Sequence, residues 1–153
     1  MKLEQRYKDG KAYEQLVAVR LGGTVTEGKN HVDIHADGFA YEVKTEESYE
    51  WKRGGSCFIE LHDVTRGSDV KRPTGVQRAS EAGVAYWVHG KRHNGTLAYT
   101  VIPMERMTAL VAQYSQGKLF KTGSHLNNAH DTYGFLIPNL VMWEAGERHY
   151  ILA

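Results

Sequence analysis

The chain has few of the features that hold or anchor a protein by means other than a packed core. It has one cysteine, Cys57, in 153 residues, so no intrachain disulfide can form and a reducing compartment fits. It has three prolines against 16 glycines, so breaks in the chain are expected at glycines. No apolar run is long enough to span a bilayer. The opening residues 1–11 are charged and lack the apolar stretch of a signal peptide. A cytoplasmic protein with no membrane partner is therefore expected. The net charge is only +1, so the strong basic excess of many nucleic-acid binders is missing as well.

What remains is an ordinary globular composition. Hydrophobic residues make up 41%, enough for one core, and the length predicts a single domain over 1–153. The charge is unevenly spread. Acids crowd into residues 42–50, and basic pairs stand at Lys52-Arg53, Lys71-Arg72 and Lys91-Arg92. Apolar periodicity and glycine placement predict a helix over 3–21 ended by Gly22-Gly23. A hairpin over 32–45, turning at Asp37-Gly38, is expected next. Strands over 57–63, 84–89 and 97–102 follow, with helices over 74–82 and 103–113. Residues 118–153 read as short strands and loops. This order predicts an α/β fold with a central mixed sheet flanked by helices.

The hairpin carries the chemistry. A two-residue turn sets Ile34 against Tyr41 and Val32 against Val43, giving one apolar face. The other face holds His31, Asp33 and His35 against Ala40, Glu42 and Lys44, with Asp33 directly opposite Glu42. Like charges so placed, about 4.5–5.5 Å apart at Cβ, destabilise a sheet. A hard divalent cation reverses that sign, because Mg²⁺ takes carboxylate oxygens as ligands. Lys44 on the same face can hold a water or offset charge on a phosphate. On the first helix, Leu3, Tyr7, Gly10, Glu14, Val17 and Leu21 share a stripe at about 100° per residue. A carboxylate in that stripe implies either a salt bridge or a third acid at the hairpin site.

These segments, KDGKAYE at 8–14, Val32-Asp33 and YEVKT at 41–45, resemble the PD-(D/E)XK nuclease superfamily. Within it they are most similar to archaeal Holliday-junction resolvases and small phage nucleases. The resemblance is looser over residues 57–89 and has no counterpart beyond residue 97. It implies a restriction-endonuclease-like αβββαβ core and Mg²⁺- or Mn²⁺-dependent cleavage of DNA phosphodiesters, with branched or structured DNA as the first choice of substrate. It implies that Asp33, Glu42 and the Val43 carbonyl bind metal, that Lys44 positions or activates water, and that Glu14 is the acid of the first helix. Val32 stands where the motif has proline. Gln15 stands where the resolvases carry a basic residue, which bears on junction specificity. A general or sequence-specific endonuclease of the same fold, or a binding module without activity, are the other readings.

Further residues group around this site in the sequence. Glu60 is a candidate additional metal ligand if its strand neighbours the hairpin. Lys52, Arg53, Lys71, Arg72, Arg78 and Gln77 are candidate nucleic-acid contacts, with Arg66 nearby. Trp51 and Tyr49 are placed to stack on an exposed base. His31, His35, His125 and His130 have no recognised ligand spacing. Two cuts in branched DNA call for a homodimer, expected through Phe135, Leu136, Ile137 and Trp143.

Overall fold

The computed structural model describes residues 3–26, 32–47, 50–52, 54–93, 95–122 and 130–152, with side chains in the first helix from Lys11 onward. The first helix, α1, spans Leu3–Leu21 as expected. Tyr13, Val17, Ala18 and Leu21 are buried, and Leu16 and Val19, outside the stripe, are exposed. Gly22, at φ +71°, ends the helix, and Gly23 donates to the Ala18 carbonyl. A Cβ on Gly23 would lie 2.3 Å from the His35 carbonyl oxygen, so glycine lets α1 dock closely on the hairpin.

The strands β1 (Thr24–Val25), β2 (Ile34–Ala36), β3 (Phe39–Glu47), β4 (Ser56–Thr65) and β5 (Lys71–Pro73) follow, then helix α2 (Gly75–Glu81). Next come β6 (Tyr86–His93), β7 (Thr96–Pro103), α3 (Met104–Tyr114), β8 (Phe120–Thr122), β9 (His130–Pro138), α4 (Asn139–Ala145) and β10 (Arg148–Leu152). Two sheets form. A six-stranded mixed sheet has the order β1-β2-β3-β6-β7-β10, with β3 and β6 parallel. A four-stranded antiparallel sheet has the order β5-β4-β9-β8. The expected mixed sheet and helices are present. The strand over 57–63 is not the hairpin's neighbour, however: β4 pairs with β5 and β9, and β6 takes the place beside β3.

Alternation along the central strands divides the interior into two cores. Tyr41, Val43, Val88, Tyr99 and Val101 meet α1. Trp87 and Ile102, on the opposite face, meet Cys57, Ile59, Phe135 and Ile137 of the second sheet, together with residues of α2, α3 and α4. Phe135 and Ile137 are thus core residues, 1% and 0% exposed, and are unavailable to a partner. Among the described residues, no helix is long and apolar enough to cross a membrane.

Candidate functional site

The hairpin turn is as the sequence demands. Asp37 and Gly38 both have positive φ, and Ala36 pairs with Phe39 and Ile34 with Tyr41. The ladder does not continue to Asp33. The Asp33 N–H donates to the Tyr41 carbonyl at 2.9 Å although Tyr41 already pairs with Ile34, a one-residue slip that takes Asp33 out of the alternation. Val32 consequently packs against the second core and not against α1. Phe39, expected on the apolar face, is 48% exposed and leans edge-on to Tyr86.

The slip fixes the Asp33 carboxylate. Its Oδ2 accepts the Val43 N–H at 2.8 Å, standing in for a backbone acceptor at the end of the short strand. The N–H and C=O of one strand residue point to the same edge, so the Val43 carbonyl faces this edge too. Glu42 and Lys44 project from β3 toward the second layer. Glu42 is 8% exposed, its Oε1 lies 3.5 Å from Lys44 Nζ, and its Oε2 is buried with no hydrogen-bond partner among the described residues. Burial pushes the Glu42 pKa up to about 8; Asp33 adds to the rise and the Lys44 ammonium opposes it.

Two other acids join this pair. Glu14 reaches in from α1, where it pairs with Lys11 at 3.2 Å. Burial and then the nearby Asp33 carboxylate raise its pKa, so the helix acid has both of the anticipated kinds of neighbour, a lysine and the hairpin acids. Glu60 is exposed on β4, at an irregularity in the β4–β9 register. It acts on Lys44 from the second sheet. Desolvation pulls the Lys44 pKa down, but Glu42, Glu60 and Asp33 outweigh it and hold the ammonium charged. Glu14, Asp33, Glu42, Lys44 and Glu60, drawn from α1, the hairpin and β4, therefore belong to one electrostatic neighbourhood.

A second polar cluster, which sequence reasoning missed, lies further along β3. Its trace is the shared parity of Glu46 on β3 with His89 and Lys91 on β6. His89, Lys91 and Asn139 are all nearly inaccessible. Trp87 donates its indole N–H to His89 Nδ1 at 3.2 Å, which leaves the ring proton on Nε2, 2.5 Å from Glu46 Oε1. Lys91 donates to the Ser56 carbonyl at 3.0 Å and lies 3.6 Å from Glu46. Cys57, its thiol pushed up to about 12 by burial, donates to Asn139 Oδ1. Ligand atoms of Glu46, Cys57 and His89 lie within 4.8 Å of one another. They do not make a metal centre: Nε2 must keep its proton while Nδ1 accepts from Trp87, and a buried ammonium stands alongside. The network is internally satisfied and bolts β3, β4, β6 and α4 together.

The proposed nucleic-acid contacts that the structure describes lie on several elements. Lys71 and Arg72 are exposed on β5, with Arg72 against the His130 ring, and Arg66 pairs with Asp131. Arg78 and Gln77 are exposed on α2, and Gln77 donates to Glu81 at 3.3 Å. Lys52 pairs with Glu50 at 3.0 Å beside a separate cavity between Trp51 and Trp143. Trp51 donates to the Ala98 carbonyl and packs on Trp143, so its ring is committed on one side. Arg53, Tyr49, His31 and His125 lie outside the described residues. His35 is exposed on β2. No family model matches this chain, and neither characterised proteins nor solved structures give a match.

Proposed function

We propose that the chain is a divalent-cation-dependent endodeoxyribonuclease with a restriction-endonuclease-like core, acting on branched or otherwise structured DNA. The observation that carries this reading is Glu42: a buried carboxylate with one oxygen that has no partner among the described residues, set beside a second carboxylate and a charged lysine. A site selected for stability alone would not retain that group.

The donors fit a hard cation. Asp33 Oδ2 is occupied by the Val43 N–H and Glu42 Oε1 by Lys44, so the oxygens left to a ligand are Asp33 Oδ1, Glu42 Oε2 and the Val43 carbonyl. Such an all-oxygen set suits Mg²⁺ or Mn²⁺ over softer metals. A cation held there supplies Lewis acidity that offsets the negative charge building on the phosphodiester oxygens.

The protein's own groups account for the rest. Lys44 is half-exposed and kept charged, so it can donate to a phosphate oxygen or hold the incoming water. That water adds to phosphorus as one P–O ester bond breaks, and the leaving oxygen takes up a proton. Glu14, with its pKa raised, is a stronger base than an ordinary carboxylate and is suited to accept a proton from the water. Glu60 keeps Lys44 ionised and serves as a positioning residue. The exposed cations of β5 and α2 lie on the chain segment that follows Glu60 and supply phosphate contacts.

The test incubates purified protein with linear duplex, single-stranded, flap and four-way-junction DNA, with and without Mg²⁺ or Mn²⁺. Cleavage that needs the cation and is lost in Lys44→Ala is expected. Absence of cleavage of every substrate with either metal, or undiminished cleavage by Lys44→Ala, would overturn the reading.

A further inference from the structure

The edges of the two sheets are unequally protected. An open edge strand offers unpaired N–H and C=O groups to another chain, and proteins blunt such edges by keeping them short or by adding charge or proline. At one end of the six-stranded sheet, β1 has two residues. In the four-stranded sheet, β5 is Lys71-Arg72-Pro73, fully exposed, charged and ended by proline, and β8 is a three-residue strand with Lys121 at its centre. The remaining edge, β10, has five residues, and its one charge, Arg148, is at the start. Ile151, at its other end, is 67% exposed. Among the described residues, β10 lacks the protections of the other edges: it is not cut short to two or three residues, ended by proline or charged at its centre.

Next to that edge is a cavity of about 530 Å³. Trp51, Ala98, Leu140, Trp143 and the largely exposed Ile151 are among its lining residues. The β7–β10 register sets Ile151 against Ala98 and His149 against Thr100, so Ile151 and His149 share the face that carries the cavity. His149 stacks on Trp143 at 4.1 Å. One patch therefore holds both a projecting aliphatic side chain and an apolar recess. Its charged lining residues, Glu144 and Lys52, the latter also in an exposed pair with Glu50, are of opposite sign, so two copies of the patch can meet with unlike charges apposed. A knob and a hole on one surface is the condition for an isologous contact, in which the same patch serves both partners.

We infer that β10 and the Trp51–Trp143 recess form a self-association surface whose occupant is a second copy of this chain. The two β10 strands pair antiparallel about Tyr150 and extend the six-stranded sheet across a two-fold axis. In that register His149 faces Ile151 of the second copy, and each Ile151 is carried toward the other's recess. The inference does not depend on the nuclease reading, since it uses none of the acids of that site.

The test needs neither DNA nor metal. Sedimentation of the full chain through a dilution series compares wild type with Ile151→Lys, and melting curves check that both are folded. Wild type should be dimeric at the upper end, and Ile151→Lys should raise the dimer Kd by about thirtyfold or more, as expected for a buried anchor. A second measurement stands even if that variant misfolds. The double variant His149→Cys/Ile151→Cys should form an intermolecular disulfide on mild oxidation, whereas Glu81→Cys, exposed on α2, should not; Cys57 is buried and does not interfere. A monomeric wild type at the highest attainable concentration would overturn the inference. So would association unaffected by a folded Ile151→Lys, or equal cross-linking through Glu81→Cys.

Discussion

Replacing Glu42 with glutamine should make the metal-free protein more stable at high pH and leave it nearly unchanged at low pH. Glutamine keeps the shape of the side chain and removes its titration. In the folded protein Glu42 holds its proton up to about 8, against an ordinary value of 4.5. Between those values the native state binds a proton that the unfolded chain has released, so wild-type stability falls as pH rises through the window. At about 1.4 kcal/mol per pH unit the whole interval sets a ceiling on the order of 5 kcal/mol. Lys44 is half-exposed, so water reaches one side of the pair, and a loss on the order of 2–3 kcal/mol is the working expectation. The assay is urea unfolding of both proteins with chelator present, from about pH 5 to about pH 9. Other titrating groups are common to the two proteins and cancel in the difference. Adding Mg²⁺ should restore wild type most above pH 8, where the carboxylate is free to ligate, and should do little for the variant. Parallel stability curves for the two proteins would refute both the burial argument and the case for Glu42 as a latent ligand.

Asp33→Asn should abolish cleavage, by several orders of magnitude, while preserving or tightening DNA binding, because it removes a ligand and a repelling charge but keeps an acceptor for the Val43 N–H; gel shifts and cleavage rates on one DNA measure both. Asp33→Ala, which strands that N–H, should in addition cost about 1–3 kcal/mol in unfolding. For Glu14→Gln, the expected outcome is slower turnover with the melting temperature nearly unchanged, since a part-buried i,i+3 helix pair with Lys11 contributes about 0.5 kcal/mol; lost stability with normal turnover would make Glu14 a structural ion-pair residue. Asn139→Ala should destabilise by about 2–4 kcal/mol in urea titration, because its side chain bonds the Glu50 and Lys52 carbonyls and the Cys57 thiol in a buried position.

Local signals carried much of this fold. The stripe on α1, its glycine stop and the Asp37-Gly38 turn are each encoded within a few residues, and each is found where expected. Alternation on β3 likewise sets Glu42 and Lys44 on one face. The slip at Asp33 was not legible, since it depends on backbone pairing with Tyr41 and Thr26 and changes no periodicity in the sequence. Nor was the second sheet. The β4–β9 pairing joins residues such as Ile59 and Phe135, far apart in the chain, and Gly134 interrupts the alternation of β9. The seven residues of α4 are too few for a helical period to emerge. For this reason Phe135 and Ile137 read in the sequence as free surface, when the partner they cover is β4.

The bond from the Val43 amide to Asp33 makes that amide a natural reporter. Its hydrogen is held by a side chain whose engagement changes with anything that enters the site, and not by the backbone alone. Deuterium uptake and proton chemical shift at Val43 should therefore follow ligation of the two acids directly, even in a variant that cuts nothing. A spectrum of one backbone position can then distinguish an occupied but inactive site from an empty one.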